Sequence, residues 1–160
     1  MFVNGYLRAD LSQLDALPSG VTLMSLSDAV LSQEWLADTL GKETLGNDQA
    51  VQSLNLALAQ DGYVLNVKAG VKLDRPLQIS YHSEGTTASA AHMRHVVRLG
   101  EGAHVDLIEM HTGAGKDKFL VDHVTEIDLA KKAVLNQIVV QDEALETICL
   151  TTQNVTLAQG

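Results

Sequence analysis

Three stretches, Val67-Lys-Ala-Gly-Val-Lys-Leu73, Leu99-Gly-Glu-Gly-Ala-His-Val105 and Leu129-Ala-Lys-Lys-Ala-Val-Leu135, share one layout: an apolar strand end, a small-residue turn and a new apolar strand. They recur at offsets of 32 (67 to 99) and then 30 residues (99 to 129). A period in that range is the sequence mark of stacked coils, each burying its apolar side only against the next. Leu157-Ala-Gln-Gly160 begins the same phrase 28 residues further on, and the chain stops where a fourth strand would start. The expectation is a solenoid cut short, with an open sheet end that must be capped or paired, so that copies associate through it.

Around these phrases the sequence predicts short strands at Tyr63 to Val67, Leu77 to His82, Met93 to Leu99, His104 to Met110, Phe119 to Leu129, Val134 to Gln141 and Thr147 to Leu157. Alternation places Met93, His95, Val97 and Leu99 on one face, which should point inward, and His92, Arg94, Val96 and Arg98 on the other. A β-sandwich suits seven short strands equally well. The coil is favoured because hairpin dipeptides are missing between these strands, the small-residue turns keep coil spacing, and Gln137 to Val140 is apolar at consecutive positions, as in a sheet covered on both sides.

The apolar residues change kind near Gly62. Residues 1 to 60 hold thirteen leucines and no isoleucine, whereas all five isoleucines and twelve of sixteen valines come later. Because β-branched side chains favour strands, the first part (1–61) reads as loops and helices and the second (62–160) as a partial β-helix core. Pro18-Ser-Gly20 reads as a turn. Ser27 is placed as the cap of a helix reaching about Leu40, with Ala29, Val30, Leu36, Ala37 and Leu40 near one face and Gly41 ending it. A second helix, capped by Asn47, carries Ala50, Val51, Leu54, Ala57 and Leu58 as a stripe expected in the core, closed by Asp61-Gly62.

Composition excludes several classes. Eleven basic against twenty acidic residues, a net charge of −9 and six aromatics do not suit a nucleic-acid or anionic-membrane surface. Length allows one domain of ordinary size, and 46% apolar residues allow a real core. A lone Cys149 forms no internal disulfide and suits a reducing compartment. No run approaches a membrane span, and no signal-peptide layout opens the chain, so a cytoplasmic location is expected.

The search for chemistry yields no site. His92 and His95, at i and i+3 on a strand, point opposite ways, as do His104 and His111. His95 and His123 sit among apolar neighbours, where a hydrogen-bonded buried histidine is the ordinary outcome. Asp122, Glu126 and Asp128 share a strand face that could hold calcium or cleave glycosides. With Lys131 and Lys132 as the nearest bases, a solvated outer face is expected. Gly100-Glu-Gly102 and Gly113-Ala-Gly-Lys116 read as turns rather than phosphate loops. Cys149 reads as a small buried thiol with no adjacent base. No catalytic, cofactor-binding or metal residue is assigned.

Further phrases carry a resemblance. Phe2-Val-Asn-Gly-Tyr-Leu7 with Leu11-Ser12, Leu17-Pro-Ser-Gly-Val21, Leu54-Asn-Leu-Ala57 with Asp61-Gly62, Arg98-Leu-Gly-Glu-Gly-Ala103 with Leu107-Ile-Glu109, and Val124-Thr-Glu-Ile127 with Ala133, Gln141 and Glu143 together resemble the SufB/SufD family. The opening phrase is nearer to SufD than to SufB. Asp122 is a departure, since the family commonly carries Asn there. The resemblance implies a right-handed parallel β-helix flanked by helices, in a scaffold subunit of the Suf iron–sulfur cluster assembly machinery. It implies SufB-like and SufC-like partners, the latter an ABC-type ATPase that holds the ATP, and a cluster held transiently by the full complex, with no cofactor on this segment. It also implies that this chain is a fragment whose family continues through ATPase-docking helices and cluster-related Cys and His positions. The rival reading is a carbohydrate-active β-helix enzyme, a lyase or hydrolase.

Overall fold

The computed structural model describes residues 1–42, 44, 49–85, 87–115 and 118–159. Among these residues the elements in chain order are β1 (Phe2–Val3), β2 (Tyr6–Leu7), β3 (Val21–Ser25), α1 (Leu26–Ser32), α2 (Ala50–Leu58), β4 (Tyr63–Val67), β5 (Leu77–Glu84), β6 (Ser89–Leu99), β7 (His104–Ala114), β8 (Phe119–Leu129), β9 (Val134–Asp142) and β10 (Thr147–Leu157). Short 3-10 turns lie at Ala9–Leu11, Leu14–Ala16 and Glu34–Asp38.

From β4 onward the chain alternates between two sheets. One is ordered β2-β1-β5-β7-β9 and the other β10-β8-β6-β4-β3. The pairs β4–β6, β6–β8, β8–β10, β5–β7 and β7–β9 are all parallel, which makes a β-solenoid of about three turns and overturns the sandwich. The repeated phrases are its register. Val67 pairs with Leu99, Leu99 with Leu129 and Leu129 with Leu157, while His104 pairs with Val134. Each small-residue turn therefore stacks on the next one. Gly100 has a fixed reason to be glycine, since a Cβ there would stand 2.5 Å from the Ala69 nitrogen in the coil below.

Alternation decides which side chains fill the interior. Met93, His95, Val97 and Leu99 point inward as expected and join Leu65, Val67, Val105 and Leu107 in the main core. Each such aliphatic side chain contributes about 1.5–3 kcal/mol on full burial.

Three strands interrupt the loops and helices expected before residue 61. The Asn4-Gly5 pair, with φ of 50° and 87°, turns β1 back on β2 as a tight hairpin. β1 then adds to β5 and β3 adds antiparallel to β4, so the first 25 residues extend both sheets. Buried Asp61 ties this segment down by accepting the Leu7 and Ser27 backbone N–H groups at 3.2 and 3.4 Å.

The helices also differ from expectation. Ser25, not Ser27, caps α1, its Oγ accepting the Asp28 N–H at 3.0 Å. α1 stops at Ser32 because Gln33 adopts an extended backbone, and a 3-10 turn resumes at Glu34. Leu26, Ala29 and Leu36 are buried, whereas Val30 is exposed. The proposed Asn47 cap lies outside the described residues. In α2 the stripe expected in the core faces outward: Val51, Leu54 and Leu58 are 50%, 53% and 48% exposed. The buried residues of α2 are the polar Gln52 and Asn55.

Gly62 sets a sharp local limit, because a Cβ there would fall 1.7 Å from the Arg94 carbonyl oxygen. Gly62→Ala is expected to cost about 3 kcal/mol or more by urea denaturation. Gly102 has positive φ and open space around its Cβ position, so Gly102→Asn should cost within about 1 kcal/mol in the same assay.

Candidate functional site

The polar groups collect on the two faces of the sheet that contains β6 and β8. On its outer face Arg94 is fully buried beneath the N-terminal segment. Its Nε donates to Glu126 Oε1 at 2.7 Å and its Nη2 to Thr44 Oγ1 at 2.7 Å. Its Nη1 reaches the Gln52 carbonyl and Asn55 Oδ1, both at 3.3 Å. Glu126 in turn accepts the Gly41 N–H at 2.9 and 3.0 Å. Asn55 Nδ2 donates to the Met93 carbonyl, the Asp122 carbonyl and Asp122 Oδ2 at 3.0–3.2 Å, and His92 Nδ1 lies 3.0 Å from the same Asp122 oxygen. This is why α2 turns its amide side chains inward: they satisfy a buried ion pair and its neighbours, which no leucine could.

The carboxylate face expected in solvent is thus corrected. Asp122 and Glu126 are buried, while Asp128 is half-exposed beside Arg98 at 3.9 Å. Their bases are Arg94 and Arg98 on the adjacent strand rather than Lys131 and Lys132. Parity along β8 put the acids on one face, but the cover comes from Gly41, Thr44, Gln52 and Asn55, remote in sequence.

The inner face carries a second network that sequence reading caught only at His95 and His123. Tyr63 Oη donates to Glu109 Oε1 at 2.9 Å, and Gln137 Nε2 donates to Glu109 Oε2 at 2.7 Å. The Tyr63 backbone N–H donates to His95 Nδ1 at 3.2 Å. An amide can only donate, so His95 carries its proton on Nε2, and that proton points at His123 Nδ1, 3.0 Å away. His123 is therefore protonated on Nε2, a buried N–H without a partner among the described residues. The His111 ring stands against His123 with centroids 4.9 Å apart, and its Nδ1 is likewise buried and unpartnered. Even spacing of His95, Glu109, His111 and His123 on the inward parity was the available signal for this network.

Burial governs its titration. Desolvation pushes His95 down to about 3, with a smaller contribution from His111, and holds His123 well below the usual imidazole range. His111 is lowered for the same reason. Burial, reinforced by Glu109, raises the Tyr63 hydroxyl well above 10, and burial chiefly does the same for Tyr81. Half-buried Cys149 reaches Gln141 Nε2 at 3.6 Å and Thr151 Oγ1 at 3.7 Å. Desolvation raises its pKa, which favours the thiol over the nucleophilic thiolate. Among the described residues no three His, Cys, Asp or Glu side chains group closely enough to hold a metal ion. His92 and His95 lie on opposite faces of β6, and His104 is half-buried while His111 is buried. Gly100 and Gly102 form a coil turn, with Gly102 at φ 66°. Gly113 and Ala114 end β7, and Lys116 lies outside the described residues.

The chemistry of both faces is mutual bonding inside a stiff coil stack, the class of a β-solenoid with polar groups locked within it. Two family models meet on this chain: the SufBD protein N-terminal region matches residues 1–79, and the SufBD core domain of the SUF iron–sulfur cluster assembly system matches residues 81–160. The chain belongs to the SufBD family. It is also 33% identical over 82 residues to an iron–sulfur cluster assembly SufBD family protein of Synechocystis sp.. That stretch is 51% of this chain and 18% of the cyanobacterial protein.

Arg94→Met strands Glu126 in a buried site and is expected to cost about 3–5 kcal/mol by urea denaturation. Arg98→Ala, at the exposed pair with Asp128, should cost less than about 1 kcal/mol. The inner histidines add a pH dependence. Their folded pKa values are depressed, so the unfolded chain binds more protons below pH 6.5 and stability falls as pH drops from there toward about 3. For His95 alone the loss at pH 5 is about 2 kcal/mol, and urea midpoints at pH 7.5 and pH 5 for the protein and His95→Asn measure it as a smaller pH shift in the variant.

Proposed function

We propose that this chain forms part of a SufD-like scaffold subunit of Suf iron–sulfur cluster assembly, not itself catalytic, that works with a SufB-like subunit and a SufC-like ABC-type ATPase. Family membership supports the Suf role. The observation that carries the scaffold reading is the engagement of the buried charges: Arg94, Glu126 and Glu109 have partners within the fold, and Asp122 is held through Oδ2 while its Oδ1 has none among the described residues. A charge so engaged is poorly placed to bind or activate a substrate. In this reading no cofactor resides on the segment, the cluster forms transiently in the full complex, and ATP is bound by the ATPase. The compartment is the cytoplasm. No helix among the described residues is long and apolar enough to cross a membrane.

Membership of a family that works in iron–sulfur cluster assembly supports protein partners. The carbohydrate-enzyme reading loses its support, since Asp122 and Glu126 lie under the N-terminal segment where a polymer could not reach them.

Co-expression of the affinity-tagged chain with the SufB-like and SufC-like proteins of the same organism tests the proposal. The SufB-like or the SufC-like protein should co-purify. Failure of this chain and of any longer product of its gene to retain either partner would sink the scaffold reading. Release of unsaturated product from polygalacturonate with calcium would restore the enzyme.

A further inference from the structure

The solenoid interior is filled by side chains from β4 onward but is hollow at its N-terminal mouth. There β1 extends one sheet and β3 the other, and the chain between them passes through two 3-10 turns at Ala9–Leu11 and Leu14–Ala16. Between that bridge and the first coil lies a cavity of about 730 Å³, open to solvent. That volume falls within the range of about 300–1,000 Å³ typical of small-molecule sites. Its walls are mostly apolar and rich in leucine, including Leu11, Leu14, Leu17, Leu23 and Leu77, with Phe2 behind them. Leu11 is 53% exposed, an unusual state for a leucine set in a concave apolar surface.

The charge at this mouth is opposite to that of the molecule. The chain carries −9 overall, yet Lys72 and Arg75 line the cavity against the single intervening acid Asp74. Both cations are exposed, and among the described residues neither enters a salt bridge. Flexible aliphatic walls suit an acyl chain better than a planar ring, and two exposed cations at the rim suit an anionic head. We propose that this cavity binds an anionic amphiphile, its acyl chain along the leucines and its head group on Lys72 and Arg75. The cavity meets the inner polar network only at Tyr63, and the proposal does not depend on the scaffold role.

A fatty carboxylate and an acyl phosphate share this chemistry, and the head group separates them. Isothermal titration of the chain with laurate and with dodecyl phosphate, each below its micelle concentration, should give saturable binding of at least one at a 1:1 ratio. The tighter ligand identifies the source. Lys72→Glu with Arg75→Glu should weaken that binding at least tenfold while circular dichroism keeps the strand signal, since both side chains are exposed. Methyl resonances of Leu11, Leu14, Leu17 and Leu77 should shift on titration. The proposal falls if neither anion binds saturably, if dodecyltrimethylammonium binds as tightly, if the double variant binds unchanged, or if the shifting methyls lie elsewhere.

Discussion

The constraint beneath everything else is the parallel register between successive coils, above all the ladder in which β6 lies on β8 from Ser89–Phe119 to Leu99–Leu129. Side chains alternate along a strand, so a slip of β8 by one residue would exchange that strand's two faces. Glu126 would then be driven into the aliphatic core, away from Arg94, and Ile127 out beneath the helices. The small-residue turns hold this register. Gly100 and Gly62 sit so close to the backbone of neighbouring segments that they leave no room for a side chain.

Both faces of β6 and β8 are covered over most of their length, for different reasons. The inner face is closed by the facing sheet, as a solenoid requires. The outer face is covered there by residues 26–42, 44 and 49–56, which pack Leu26, Ala29 and Leu36 on Val64 and Val96 and place Gln52 and Asn55 beside Arg94. A buried ion pair is a poor source of net stability but a strong selector of arrangement, because misplacement leaves a charge unpaired. The Arg94–Glu126 pair and its donors thus specify where the N-terminal segment sits, which suits a family whose members act in assembly.

The solenoid was legible because its signals are local and repeated. Every expected strand is present, and Val67, Leu99, Leu129 and Leu157 proved to be successive rungs of one ladder. The Asn4-Gly5 hairpin was equally visible in the residues, yet it lay in a stretch read as loop from its leucine content. The inverted face of α2 was not legible. Helical amphipathicity assumes that water takes the polar side, and here a guanidinium and a carboxylate take that place, brought by strands some forty to seventy residues away. For the same reason parity grouped Asp122 with Glu126 correctly but could not say that they were covered.

The imidazole pair inside the coils has a directional order with a physical corollary. Because the Tyr63 amide anchors one end, His95 and His123 cannot trade tautomers unless that main-chain bond first breaks. Their ring protons therefore act as internal clocks: the rate at which deuterium replaces them reports how often the first winding parts from the second, far from any surface where fraying would obscure the reading.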